Sequence, residues 1–110
     1  MTITLSFPPA VLSPNSRVHW AKKAKAAKAY KAICLWLLQE HKAILKGKYQ
    51  FTLTFRPPDN HRRDLDNMVA AMKHGIDALA FVCGVDDSQF QLTVAKGEPT
   101  KGGCVEIVAL

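Results

Sequence analysis

Between Arg17 and Lys46 the chain contains neither proline nor glycine, and this uninterrupted run decides most of what it can fold into. Alanine is abundant there, and Trp20, Ala24, Ala27, Cys34, Leu38, His41 and Leu45 recur on helical spacing. One long helix is expected, capped by Ser16 and stopped by Gly47. An apolar stripe on such a helix needs a partner layer to cover it. The flanks supply one. Ile3, Leu5 and Phe7 alternate with Thr2, Thr4 and Ser6, and Tyr49, Phe51, Leu53 and Phe55 alternate with Gln50, Thr52 and Thr54. That is the period-two pattern of strands with one buried face. Pro8-Pro9 ends the first strand, and the chain up to Asn15 reads as an extended loop.

A second helix is expected to begin near Asp64, with Leu65, Met68, Met72, Ile76 and Leu79 as its apolar stripe and Gly84 as its stop. Phe90–Lys96 and Cys104–Ala109 again read as strands, and Gly97, Pro99, Gly102 and Gly103 between them predict a hairpin loop. The order is therefore β-α-β-α-β-β. It implies an α+β (mixed α/β) fold in which a mixed sheet packs against two helices. A length of 110 residues with 48% hydrophobic content supplies one core but not two, so residues 1–110 are read as a single domain.

No apolar stretch approaches the roughly 20 residues of a membrane-spanning helix, because lysines and turn residues interrupt each one. Met1 to Phe7 lacks the basic start, apolar block and small-residue cleavage site of a secretory signal. A cytoplasmic protein with no membrane partner is expected. Cys34, Cys83 and Cys104 are widely separated and form no Cys-x-x-Cys or Cys/His cluster, which predicts reduced, mostly buried thiols.

The formal net charge of +6 biases the molecule toward polyanions. Arg17, Lys22, Lys23, Lys25 and Lys28 on the first helix, with Arg56, Arg62, Arg63, Lys96 and Lys101, are candidates for phosphate contacts. Any one of these alone reads as a solvated surface charge; the clustering is what points to nucleic acid. Against that basic background, six of the nine acidic residues (Asp59, Asp64, Asp66, Asp77, Asp86 and Asp87) fall between positions 59 and 87. Asp64 or Asp66 alone would be a helix cap, and Asp86-Asp87 alone a turn. Capping needs one acid, however, and this helix start has two, preceded by His61, Arg62 and Arg63. Carboxylates beside cationic side chains suit a divalent cation bound next to a phosphate. The carboxylates flanking the second helix are expected to gather into one pocket. No serine or cysteine beside a histidine suggests covalent catalysis.

The runs Arg63-Asp64-Leu65-Asp66-Asn67, Asp77-Ala78-Leu79 and Val85-Asp86-Asp87-Ser88-Gln89 resemble the signature of the RusA-like Holliday junction resolvases. Phe7-Pro8-Pro9, Asn15 and Thr100-Lys101-Gly102-Gly103 extend the likeness over nearly the whole chain. The resemblance implies a homodimeric, Mg²⁺-dependent endonuclease, with Mn²⁺ able to substitute, that nicks four-way DNA junctions and is typically prophage-encoded. By position Asp64, Asp66 and Asp87 match the family's catalytic, metal-binding aspartates. Asp86 matches a second acid beside them, and Asn67 a residue that orients a carboxylate. Arg62, Arg63, Lys73, Asn15, Arg17, Lys22, Lys25 and Lys96 are then the expected DNA contacts. The family usually places a lysine four residues after the second aspartate, where this chain has Ala70; Lys73 matches only when counted back from Asp77. It starts about 10 Å along the helix axis from Asp66 instead of about 6 Å, and pairing with Asp77 or Asp66 is its plain structural alternative. Ile33, Trp36 and Leu37 exceed what one helix face buries and are candidates for a dimer contact or for the core. Two other functions fit the same residues: a branched-DNA-binding accessory protein without activity, and a metal-dependent phosphohydrolase of nucleotides.

Overall fold

In the computed structural model, which describes residues 1–110, the alternating segments become four strands with one dry face. They are β1 (Thr2–Ser6), β2 (Gln50–Arg56), β3 (Gln91–Lys96) and β4 (Cys104–Ala109), in the sheet order β1-β4-β2-β3. β4 runs antiparallel to both neighbours, with Ile107 opposite Ile3 on one side and Leu53 on the other. β3 pairs parallel to β2, Leu53 opposite Val94. Ile3, Leu5, Phe51, Leu53, Phe55, Val105 and Ile107 are buried on one face, each burial stabilising the fold by roughly 1.5–3 kcal/mol. The other face carries Thr2, Thr4, Thr52, Thr54 and Thr93, half-buried or exposed. This is a single α+β domain.

The hairpin expected between the last two strands does not form. β2 lies between β3 and β4, so the Gly97–Gly103 loop crosses the end of β2, where the Thr100 amide donates to the Pro57 carbonyl at 2.9 Å. A glycine-rich link permits a hairpin but does not require one. Here β4 gains two partners in the sheet instead of one.

Helices α1 (Trp20–Gln39), α2 (Lys42–Leu45), α3 (Leu65–Ala71) and α4 (Lys73–Cys83) cover the dry face. β1 leads through α1 to β2, and β2 leads through α3 and α4 to β3, both links stepping the same way across the sheet. Crossovers of one hand then put both helical links on the same side. α1 buries Ala27, Tyr30, Cys34 and Leu38 against α4, which buries Gly75, Ala78, Leu79, Val82 and Cys83. Gly75 makes the contact close, since a Cβ there would stand 2.9 Å from Met72 Cε and 3.2 Å from Tyr30 Cε2. No helix is long and apolar enough to cross a membrane.

Both expected helices are broken where no glycine or proline marks it. The first starts at Trp20, with the His19 imidazole accepting from the Ala21 amide at 3.2 Å, so His19 and not Ser16 is the cap. It ends at Gln39, and α2 then sets Leu45 into the core while the Gly47 amide donates to the Cys83 carbonyl. The second pauses at Met72, whose buried side chain is a pivot. The Tyr30 hydroxyl lies 3.1 Å from the Met72 sulfur and donates to the Ser6 carbonyl at 2.7 Å, tying β1, α1 and the α3–α4 junction together. Burial pushes the Tyr30 phenol and the Cys34 thiol up, Cys34 to about 11. Cys34 and Cys83 are buried and Cys104 half-buried, all three as free thiols.

Candidate active site

Because β1, β2 and β3 point the same way, their carboxyl ends share one edge of the sheet, and the links to α1, to α3 and to β4 all leave from it. Open α/β sheets bind ligands at this edge, where helices begin and loops converge. A cavity of about 510 Å³ opens there. Its walls come from the Phe7–Ala10 segment, Ser13 and Asn15 of the first loop, from Pro58, Arg62, Arg63 and Asp64 of the second, and from Asn67, Met68 and Ala71 of α3. Gly102 of the third loop completes it.

Asp64 is the extended residue before α3, and its carboxylate accepts no capping bond from the helix. Its one ionic neighbour is Arg62 Nε at 3.8 Å, and both side chains are largely exposed. Asp66 lies in the first turn of the same helix, exposed and outside every ion pair of the chain. Asn67 lines the cavity while Asp66 does not; at about 100° per residue, Asp66 leaves the helix on the side away from Asn67 and Met68. Negative charge in a first turn is favourable against the helix dipole, so Asp66 is tolerated without a partner.

Arg63 is fixed in place. Its guanidinium donates to Asp59 Oδ1 at 2.7 Å and lies over the Phe7 ring, 5.9 Å from its centroid. That hydrogen bond, together with one from the His61 amide, holds the Asp59 carboxyl down at about 2. Arg62 is unrestrained by comparison. Lys96, at the end of β3, donates to the Arg63 carbonyl at 3.5 Å and shares a second, polar depression with Asp59, His61 and Glu98. Nearby, Arg56 pairs with Glu106 across β2 and β4, which raises the guanidinium pKa further.

Three of the singled-out residues, Asp87, Asp86 and Lys73, sit elsewhere. Asp87 opens a short 3-10 turn before β3, at the amino end of the parallel pair, near the Gln91 amide that donates to the Tyr49 carbonyl. Asp64 precedes α3 at the carboxyl end. A crossover of helix separates them, and Leu65 to Cys83 spans up to about 28 Å at 1.5 Å per residue. No group of three His, Cys, Asp or Glu side chains is assembled that could hold a metal ion. Asp86 caps the turn, accepting from the Ser88 amide at 2.9 Å, and that bond lowers its pKa. Lys73 stands at the start of α4 with its ammonium 3.5 Å from Asp77. No hydrogen bond runs from the Asn67 side chain to either nearby aspartate.

Sequence reading missed Ser13, Met68 and Gly102 as walls and Asp59 as the residue that fixes Arg63; the Asp59-x-x-x-Arg63 spacing in a loop was the available signal. Of the remaining basic candidates, Lys22, Lys25 and Lys28 lie along α1, whereas Arg17, expected on the same helix, falls in the loop before it; all four are exposed, and α1 contains no acidic residue.

No family model matches the chain. It is similar to a Xylella fastidiosa protein described as uncharacterized, 32% identical over 94 residues, a match that takes in 81% of this chain. The match spans only 61% of that relative's length.

Proposed function

We propose that this protein is a Mg²⁺-dependent, structure-selective endonuclease that cuts branched DNA, four-way junctions above all, and works as a homodimer. The observation that carries the proposal is the cavity at the carboxyl edge of the sheet, where Asp64, exposed and making no capping bond, stands with Asn15, Arg62 and Arg63, while Asp66 on the same helix start and Lys96 at the end of β3 flank it. The donor set fits the ion: Mg²⁺ is commonly held by one or two carboxylates, with waters and substrate phosphate oxygens completing its shell. Bound there, it would supply charge neutralisation at the phosphate and a water of lowered pKa.

The chain's own residues do the rest. Asp64 on the cavity wall would hold the cation, with Asp66 of the same helix start as the second carboxylate. Arg62, exposed beside Asp64, reaches the phosphate flanking the scissile one, and Arg63, held by Asp59 and Phe7, keeps the loop in place. Asn15 and Asn67 offer neutral donors and acceptors on the cavity wall. Within one subunit Asp87 does not reach this site. Its part in catalysis therefore requires a second subunit, arranged so that the amino end of β3 in one copy faces the α3 start of the other. Two cuts across a junction of two-fold character call for such a symmetric pair.

The remote Asp87 and the Lys73–Asp77 pair favour one rival, a junction-binding protein that does not cleave. Incubation with an end-labelled synthetic four-way junction, in Mg²⁺ or in EDTA, separates the two. Paired nicks that need the metal support the nuclease. Tight binding without nicks supports the rival, and hydrolysis of small phosphoesters with indifference to DNA refutes both.

A further inference from the structure

Trp20 is 75% exposed at the first position of α1, an unusual place for the largest apolar side chain. At about 100° per residue it lies on the same line as Ala27 and Leu38, the stripe that farther along is buried against α4. Trp20 opens the helix that follows the loop leaving the carboxyl end of β1, five positions after Asn15 of the cavity wall. The His19 ring lies beside it, with centroids 5.4 Å apart and planes tilted by 34°, and the bond from the Ala21 amide fixes the imidazole. Arg17 precedes it and Lys23 follows one turn on, in a helix without a single carboxylate.

An exposed indole among unpaired cations suits a partner with flat aromatic faces and a negative backbone. From this we infer that Trp20 is a stacking platform for an unpaired base, so that the protein engages single-stranded nucleic acid where strands separate beside the Asp64 cavity. A protein partner would find no carboxylate on α1 to pair with, and an intact duplex offers no open base face for stacking. The inference rests on the proposed nuclease reading and gives it a substrate preference: branch points with unpaired nucleotides over perfect duplex.

The test needs no catalysis. A Trp36→Phe variant, changed at a residue that is itself 77% exposed, leaves Trp20 as the single tryptophan. In EDTA, its emission should be quenched by a short oligothymidylate, weakly by a blunt duplex, and not by inorganic polyphosphate. Adding Trp20→Ala removes the last indole, so anisotropy of a dye-labelled oligothymidylate is read instead; its binding should weaken by about 5- to 150-fold, the usual range for one stacked base, with competition by polyphosphate unchanged. Trp20→Phe should recover most of the loss. Equal quenching by all three ligands, no oligothymidylate binding, or unaltered affinity after Trp20→Ala each overturns the inference. Metal-dependent junction nicking that persists alongside such a result would leave the nuclease reading standing.

Discussion

Lys22, Lys25 and Lys28 make the most quantitative forecast. Successive members are separated by three residues, so they climb α1 in steps of about 4.5 Å and span an arc of about 120° centred opposite the buried stripe. All three are exposed, and no acid on α1 competes for them. If each contacts a phosphate, each contributes about 0.9 to the slope of log affinity against log salt, so replacing all three with alanine should flatten the slope by about 2.7. Between 50 and 200 mM salt the wild-type advantage should therefore shrink by about 40-fold. Fluorescence anisotropy of a labelled junction in EDTA measures this directly. Stability supplies the control: Lys22 sits in the first turn of α1, where a cation opposes the helix dipole, so the variant should melt no lower than the wild type. Parallel salt plots for the two proteins would refute the reasoning, as would a loss of affinity independent of salt.

Three further predictions follow from other parts of the fold. If Asp87 acts across a dimer, mixing inactive Asp66→Asn and Asp87→Asn proteins should restore about a quarter of the wild-type sites; no recovery would place Asp87 outside the shared site. Because Arg63 holds the Asp59 carboxyl at about 2, below its ordinary 3.8, the stabilisation from this pair is complete above the ordinary value and lost as pH falls toward 2. Carboxyl-carbon NMR should show the Asp59 midpoint rising from about 2 toward 3.8 in Arg63→Gln, the His61 amide bond keeping it below the ordinary value, and an unmoved midpoint would refute the pairing. Gly75→Ala should lower the melting temperature, since about 1–3 kcal/mol of overpacking against Met72 and Tyr30 exceeds the roughly 1 kcal/mol of helix propensity gained; a higher melting temperature would refute the close packing of α1 and α4.

What the sequence revealed depended on whether local pattern or topology was in control. Phe51, Leu53 and Phe55 alternate so regularly that β2 and its buried face were readable, and Ala27, Cys34 and Leu38 placed α1. Its start escaped notice because His19 caps through an imidazole nitrogen where Ser16 looked suitable. The breaks at Glu40 and Met72 carry no glycine or proline, and tertiary demands impose them: Leu45 must enter the core, and Met72 must meet Tyr30. The missing hairpin reflects sheet order, which period-two patterning does not encode. Asp87 shows the same limit in the site. Residues at the two ends of one crossover seem close in sequence logic, yet the helix between them carries them to opposite edges of the sheet. Asp64 and Asp66, by contrast, share a single helix start, and that shared position was legible from spacing alone.

Of the exposed apolar side chains, Ile33 is 46% exposed and Trp36 lies on the same helix, so both are available for a dimer contact, whereas Leu37 is half-buried. The nuclease reading nonetheless stands or falls on the carboxylates of α3. Titration of isotope-labelled protein with paramagnetic Mn²⁺ locates a bound divalent cation by the amide signals it broadens. Signals from Arg62 through Asn67 should be lost selectively at low metal concentration, an effect abolished in Asp66→Asn. Uniform broadening, or an unchanged pattern in that variant, would contradict the nuclease reading.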